Sequence, residues 1–362
     1  MFGNNAGSFF VTIALALLSS FVLPAAPSSS ASLGSGDALL RTLSSRASAP
    51  LAGLTVALGT NVCVDLVSSA SAVLGEAVSA LGSLPPVDAA SLSSESIAAG
   101  VLAFHALSGA AAERAADPLL LATLVARADA AGGARRSLGG NAALMARALL
   151  KTSSTRVILG GPVGPFAVAS LPGVTFATPL AENDATHLIL EYAAGESIAQ
   201  GQPLTPRANR FIITADALNS AGIAAAIGDT FAAASVAGAH AVVISGLHML
   251  EPLGAGARRG ALADVAIALA AAAGSPNAPP VHVEMASVAD VHFAGELARA
   301  VLPFASSFGC NEQELATLYE ALGGRYSVGG GGGGGRHTRR SICTSRPRSP
   351  RRRRRQRATS RL

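Results

Sequence analysis

"LTVALGTNVCVDLV", residues 54–67, decides how the rest of the chain is read. Its first five residues carry no charge and stop at Gly59. A short apolar run of that kind fits a strand buried on both faces, as strands of parallel sheets are. Polar residues follow, and then an acid, Asp65. In open parallel sheets, ligands collect where strands end in loops at the carboxyl edge. Asp65, read as lying beyond the strand, is therefore either a turn or capping carboxylate or an acceptor for ligand hydroxyls.

Similar runs recur outward from this stretch: "RVILGG" (156–161), "HLILEYA" (187–193), "RFIITA" (210–215), "HAVVISG" (240–246) and "PVHVEMA" (280–286). Ala-rich stretches such as 218–235 and 257–273 lie between them and read as helices. Strand–helix alternation predicts an α/β layered fold with a mostly parallel sheet. No internal repeat is visible.

The 362 residues suffice for one large domain or two smaller ones, and a hydrophobic fraction of 50% supports a real core. The formal net charge of +5 is an average over two unlike parts. From Arg325 onward there are 13 Arg and no acid, so the preceding residues hold 14 basic groups against 22 acidic ones. The acidic body is not a nucleic-acid-binding domain, and the basic tail is a separate segment. Cys63, Cys310 and Cys343 have no metal-type spacing, and the first two read as packing residues.

Phe9 to Leu23 is a charge-free apolar run followed by Pro24 and small residues. That length suits a signal-peptide core better than a full span. Residues 1–26 are read as a signal peptide or membrane anchor, which implies the endoplasmic reticulum or secretory pathway and a membrane contact through this segment. The n-region lacks a positive charge, so a plastid-type presequence or a buried segment stays open. Residues 27–50 read as a Ser/Ala-rich linker, 51–324 as the folded domain, and 325–362 as a disordered Gly/Arg-rich tail.

Several polar groups follow apolar runs. "SLGGNAALMARALL" sets two glycines before Asn141 and a helix, which is either a common helix start or a place where free N–H groups meet a ligand. "GGPVGP" (160–165) is a rigid turn without a catalytic role. Glu284, Glu312 and Glu314, with His282 and Asn311, sit at strand ends and loop starts. They fit either water-mediated Mg²⁺ binding or, for "NEQEL", an N-capped helix. Arg207 and Arg210 are either phosphate ligands or solvated surface groups.

In this order "GTNVCVD", "GAAAER", "GGNAAL", "GGPVGP", "HLILEY", "ANRFI", "VVISGLHMLE", "PVHVEMAS" and "GCNEQEL" resemble the ADP-dependent glucokinases, in their animal-type endoplasmic-reticulum branch. The resemblance covers about residues 54–324. It implies a ribokinase-like fold, an α/β/α domain with a small β-rich lid. It also implies transfer of the β-phosphoryl of ADP to the 6-hydroxyl of glucose, with Mg²⁺ required. By position it gives Asp65, Glu113, Asn141 and His187 to the sugar, Arg210 to phosphate, and Glu284 and Glu314 to the metal. Glucose and ADP are then the partners, nucleic acid is not one, and a monomer is expected.

The family's general base is an Asp in a C-terminal Gly-x-Gly-Asp segment. Here "GSGD" (34–37) lies in the linker, and no such segment follows "YEALGGRYSV". No catalytic base is therefore assigned, and the chain as written is expected to be inactive, poorly stable and C-terminally incomplete, with an exposed apolar sheet edge. The alternatives are a non-catalytic sugar-binding or regulatory relative, or a functional arginine-rich tail. "SVGGGGGGGRHTRR" (327–340) imitates a phosphate loop, but such a loop needs spaced glycines between a strand and a helix. It reads instead as the seam where family-like sequence stops, consistent with a shifted reading frame.

Overall fold

The computed structural model describes residues 53–324, apart from 83–87, 90, 153–154, 276, 287 and 289. The expected signal or anchor segment, the linker, the tail and the side chain of Glu312 lie outside the described residues. All described residues belong to one compact unit that ends at Gly324.

Twelve strands occur among them: β1 (Thr55–Gly59), β2 (Cys63–Ser69), β3 (Ser91–Leu92), β4 (Ala112–Ala116), β5 (Arg135–Gly139), β6 (Arg156–Leu159), β7 (Thr175–Phe176), β8 (Thr186–Tyr192), β9 (Asn209–Thr214), β10 (Ala241–Ile244), β11 (Val281–Glu284) and β12 (Ser307–Gly309). The first sheet has the order β12-β11-β10-β1-β6-β7, and every neighbouring pair is parallel. Its two outer strands are also its shortest, which limits the length of unpaired edge.

The sequence of β1 explains its central place. Val56 and Leu58 enter a core with Ala142, Ala146 and Leu149 of the helix Asn141–Thr152 and Ala167 of the helix Pro165–Ser170. Ala57, pointing the other way, joins Ile227, Phe231, Val265, Leu269 and Phe293, from the helices Ile223–Val236, Ala255–Ala273 and Val291–Val301. Burial on both faces is why the strand reads as a continuous apolar run. Each fully buried Val or Leu contributes about 1.5–3 kcal/mol. The result is an α/β/α body.

The second sheet has the order β3-β4-β9-β8-β2-β5 and mixes parallel with antiparallel pairs. Leu66, Leu188, Leu190, Phe211, Ile213 and Ala112 cover one of its faces and pack on the helices Ala70–Ala80, Glu95–Ser108 and Pro118–Ala131. No helix among the described residues is long and apolar enough to cross a membrane.

The chain passes from the first sheet to the second at Thr60–Val62, and that crossing is tied down on three sides. Thr60 donates its backbone N–H and its hydroxyl to the Ser245 carbonyl, each at 3.1 Å. Val62 donates its N–H to Asn219 Oδ1 at 3.1 Å, and Asn219 Nδ2 donates back to the Val62 carbonyl at 3.0 Å. Ala142 and Ala143 donate to the Asn61 carbonyl. Connections fill the first sheet on the β6 side of β1 and then on the β10 side. The reversal places a topological switch at the carboxyl ends of β1 and β10, where a crevice for ligand is expected.

Two sequence expectations change here. The run 218–235 is not one helix: it breaks at Gly222 into Ala217–Ala221 and Ile223–Val236. Asp65 lies beyond β1, as expected, but not in a turn. It lies inside β2, because the chain starts a second strand only three residues after the first ends.

Candidate functional site

The second sheet's polar face follows from its register. Asp65 on β2 lies directly opposite His187 on β8 and Ser137 on β5. Glu113 on β4 is opposite Ile212 of β9, which is in turn opposite Ile189 of β8. Arg210 is two residues from Ile212 and faces Glu191. Side chains alternate along a strand, so Asp65, Glu113, His187 and Arg210 share the face opposite the Leu66–Leu188–Phe211 core. Four of the residues expected at the sugar and phosphate positions thus stand on one surface, although they come from four strands.

His187 is the hub of this surface. Its Nε2 is 2.8 Å from Asp216 Oδ2, and its Nδ1 is 3.5 Å from Cys63 Sγ. The Cys63 thiol in turn lies 3.6 Å from Asp65 Oδ1. Burial opposes protonation of His187, but the hydrogen bond and charge of Asp216, with Glu113 and Asp65 behind it, outweigh burial and hold the imidazole above its ordinary range. Asp216 also loses solvent, yet His187 and two bonds from Asn219 hold its carboxyl below the usual range.

Asp65 and Glu113 behave oppositely. Burial pushes both carboxyls up, and the charges of His187 and Arg210 only partly offset it. For Glu113, Asp65 and Glu251 add like-charge repulsion. Burial, with the charges of Asp65 and Asp216, raises the Cys63 thiol well above its ordinary value. His248, on the turn Leu247–Leu250 after β10, is driven down to about 4 by desolvation and by the charge of His187. Its Nδ1 is a buried atom without a hydrogen-bond partner among the described residues.

The double glycine before Asn141 has a steric reason. A Cβ at Gly139 would overlap the Asp65 carboxylate, and one at Gly140, where φ is +82°, would collide with Asn61. These glycines let β5 press against the crossing segment. The expected free N–H groups of the following helix are not free: Ala142 and Ala143 spend theirs on the Asn61 carbonyl. Asn141 opens that helix and is half-buried, two residues from Gly139, the partner of Cys63 on β2.

Glu284 and Glu314 form a separate group at the carboxyl edge of the parallel sheet. Glu284 ends β11, and Glu314 lies in the first turn of the helix Glu312–Ala321 that follows β12. Glu314 takes part in a capping box: it accepts from the Asn311 backbone N–H at 3.0 Å and from Asn311 Nδ2 at 2.8 Å, while its own N–H donates to Asn311 Oδ1 at 2.9 Å. The N-capped-helix reading of "NEQEL" is thus the one these bonds show. Burial raises the Glu314 carboxyl, and the nearby charge of Glu284 adds to it against the Asn311 bonds. His282, buried between Ser307 Oγ at 2.7 Å and Glu284 Oε2 at 3.2 Å, orients Glu284. Gly309 leaves room for that carboxylate, since a Cβ there would overlap it. Two repelling carboxylates at a sheet edge suit a hard divalent cation that keeps most of its waters.

Sequence reasoning missed Asp216, Asn219 and His248, and it took Cys63 for packing alone. Asp216 follows the run "RFIITA" directly, which is the same signal that singled out other polar groups after strands.

A family model, "ADP-specific Phosphofructokinase/Glucokinase conserved region", matches residues 54–330. The chain is 35% identical over 201 residues to an ADP-dependent glucokinase of Bos taurus, covering 54% of this chain and 38% of that protein. It is 36% identical over 217 residues to a probable ADP-dependent glucokinase of Caenorhabditis elegans, covering 58% and 41%. The chain thus spans about two fifths of the length of these curated relatives. Among solved structures it is similar to a hypothetical ADP-dependent phosphofructokinase from Pyrococcus horikoshii OT3, with a TM-score of 0.55, 19% identity and 75% and 66% coverage of the two chains. A second similar structure is an ADP-dependent kinase complex with fructose-6-phosphate and ADPβS, with a TM-score of 0.54, 13% identity and 89% and 64% coverage. The parallel α/β/α body with its second sheet has the ribokinase-like fold. The family match runs from β1 past the last described helix, and the chain belongs to the ADP-specific phosphofructokinase/glucokinase family.

Proposed function

We propose that the polar face of the second sheet binds a hexose, and that the chain serves ADP-dependent phosphoryl transfer to it, with glucose as the favoured sugar. The observation that carries this reading is the adjacency of Asp65 and His187 across β2 and β8, with Glu113 coupled to both. A sugar hydroxyl both donates and accepts. Carboxylates can take its proton side, and a protonated imidazole can serve its lone pairs. The raised carboxyls of Asp65 and Glu113 lack solvation that vicinal hydroxyls would restore. The names of the bovine and nematode relatives support glucose as the sugar and ADP as the donor.

Arg210, exposed at the start of β9, would meet phosphate as a fork of donors. Glu284 and Glu314 would hold Mg²⁺, which neutralises charge on the phosphoryl groups when bound. Asn141 would add an amide to the sugar contacts. The general-base segment implied by the resemblance does not follow Gly324 in the 362 residues. Secretory-pathway targeting through Phe9–Leu23 and a monomeric state remain part of the proposal.

Isothermal titration of the full chain with D-glucose tests the reading, with fructose 6-phosphate and Mg·ADP as parallel ligands. Glucose should bind with a dissociation constant in the range of ordinary enzyme–substrate constants, roughly 1 μM–1 mM. Saturable binding of fructose 6-phosphate without glucose would move the substrate to a sugar phosphate.

A further inference from the structure

We propose that Cys63 Sγ, a carboxylate oxygen of Asp65 and His187 Nδ1 form a site for a zinc-class divalent cation on the polar face of the second sheet. The ligand atoms of these three residues lie within 4.8 Å of one another. Tetrahedral zinc with a sulfur at about 2.3 Å and nitrogen or oxygen at about 2.05 Å separates those ligand atoms by about 3.6 Å. The observed spacings are 3.5 Å from Cys63 Sγ to His187 Nδ1 and 3.6 Å from Cys63 Sγ to Asp65 Oδ1. Two edges of the tetrahedron are thus already present.

The surroundings agree. Metal-bound histidine usually donates its other ring N–H to a carboxylate, which fixes the ring. Here Asp216 Oδ2 stands 2.8 Å from His187 Nε2, and Asn219 holds Asp216 in place. The Nδ1 side therefore faces Cys63 and Asp65. On binding, the cation replaces the thiol proton of Cys63 and any proton on His187 Nδ1, and both leave to solvent. Sulfur and imidazole donors select zinc over magnesium, which prefers oxygen. This site is distinct in chemistry and place from the Glu284–Glu314 pair. Its existence rests on this geometry alone. Its consequence, competition with a hexose for Asp65 and His187, rests also on the hexose-pocket reading above.

The test uses the full chain with Cys310→Ser and Cys343→Ser, which leaves Cys63 as the sole thiol. X-ray absorption of the zinc-loaded protein should show one sulfur at about 2.3 Å and nitrogen or oxygen scatterers at about 2.0 Å. A spectrum with no sulfur overturns the proposal. Cobalt(II) titration should give a thiolate charge-transfer band at one equivalent, lost on Cys63→Ser; a band that survives that change overturns it too. Asp216→Asn should weaken zinc binding about 10–100-fold, and unchanged affinity contradicts the assigned role of Asp216. Glucose should raise the apparent zinc dissociation constant. Sulfur-ligated zinc that ignores glucose leaves the metal site standing and removes the hexose reading instead.

Discussion

Asp216 Oδ2 lies 2.8 Å from His187 Nε2, and this pair joins the loop after β9 to the start of β8. His187 titrates above its ordinary range, so its share of stability is fully present below about pH 6.5 and is lost as pH rises through its elevated value. Asp216 titrates below its ordinary range, so its share is present above that range and is lost as pH falls through its depressed value. Urea unfolding across pH should show a stability loss on the alkaline side in the wild type. His187→Asn should flatten it; an unchanged slope would mean that another group titrates there.

Asp65 is held against its preference. Its raised carboxyl means that the folded protein binds this proton more tightly than the unfolded chain, so ionised Asp65 lowers stability as pH rises. Asp65→Asn should raise the melting temperature at neutral pH, and the gain should shrink toward acid. The same change should weaken glucose binding about tenfold or more, the usual cost of losing a charged hydrogen-bond partner. Lower stability at neutral pH would show that the carboxylate is compensated after all.

Gly139 tests the geometry without touching a charge. A Cβ there overlaps the Asp65 carboxylate, so Gly139→Ala should displace Asp65. Glucose affinity should fall toward that of Asp65→Asn, while far-UV circular dichroism stays unchanged. Full affinity in Gly139→Ala would place the sugar away from Asp65.

Asn219 pins the crossing between the sheets. Asn219→Ala would orphan the N–H and carbonyl of Val62, each a buried group whose loss of partner costs about 1–3 kcal/mol. Chemical denaturation should register that loss, and glucose binding should weaken with it because Asp216 loses two donors.

Glu314 has a capping role and a proposed metal role that two variants separate. Glu314→Ala removes the capping box and should cost about 1 kcal/mol. Glu314→Gln keeps one of the two acceptors for Asn311 but not the charge, so it should cost less stability than Glu314→Ala while Mn²⁺ affinity, read by electron paramagnetic resonance, drops. Equal Mn²⁺ affinity in wild type and Glu314→Gln would leave Glu314 with its cap alone.

The parallel sheet was legible because its strands are buried on both faces, and double burial writes an uninterrupted apolar run such as "HAVVISG". The second sheet was half legible. β8 and β9 carry apolar runs, but β4 reads "AERAA" and β5 "RRSLG", because one face is polar and they lack bulky β-formers. Glu113 was reachable only through the family resemblance for that reason. Asp65 stood out as a polar residue after an apolar run and His187 came, like Glu113, through the resemblance, yet their pairing needs the register of β2 on β8, a contact between residues far apart in sequence. Asn219 was invisible, since its partner is a backbone that crosses between sheets and leaves no mark in local pattern.

The proposed hexose pocket on the face bearing Asp65, Glu113 and His187 is open to a single comparison. Titration of D-glucose into the wild-type chain and into Asp65→Asn, under identical conditions, tests it most directly. Saturable one-site binding to the wild type is expected, with at least a tenfold weaker constant for the variant, by the usual cost of losing a charged hydrogen-bond partner. No binding to a folded wild type, or equal binding to both proteins, would contradict it.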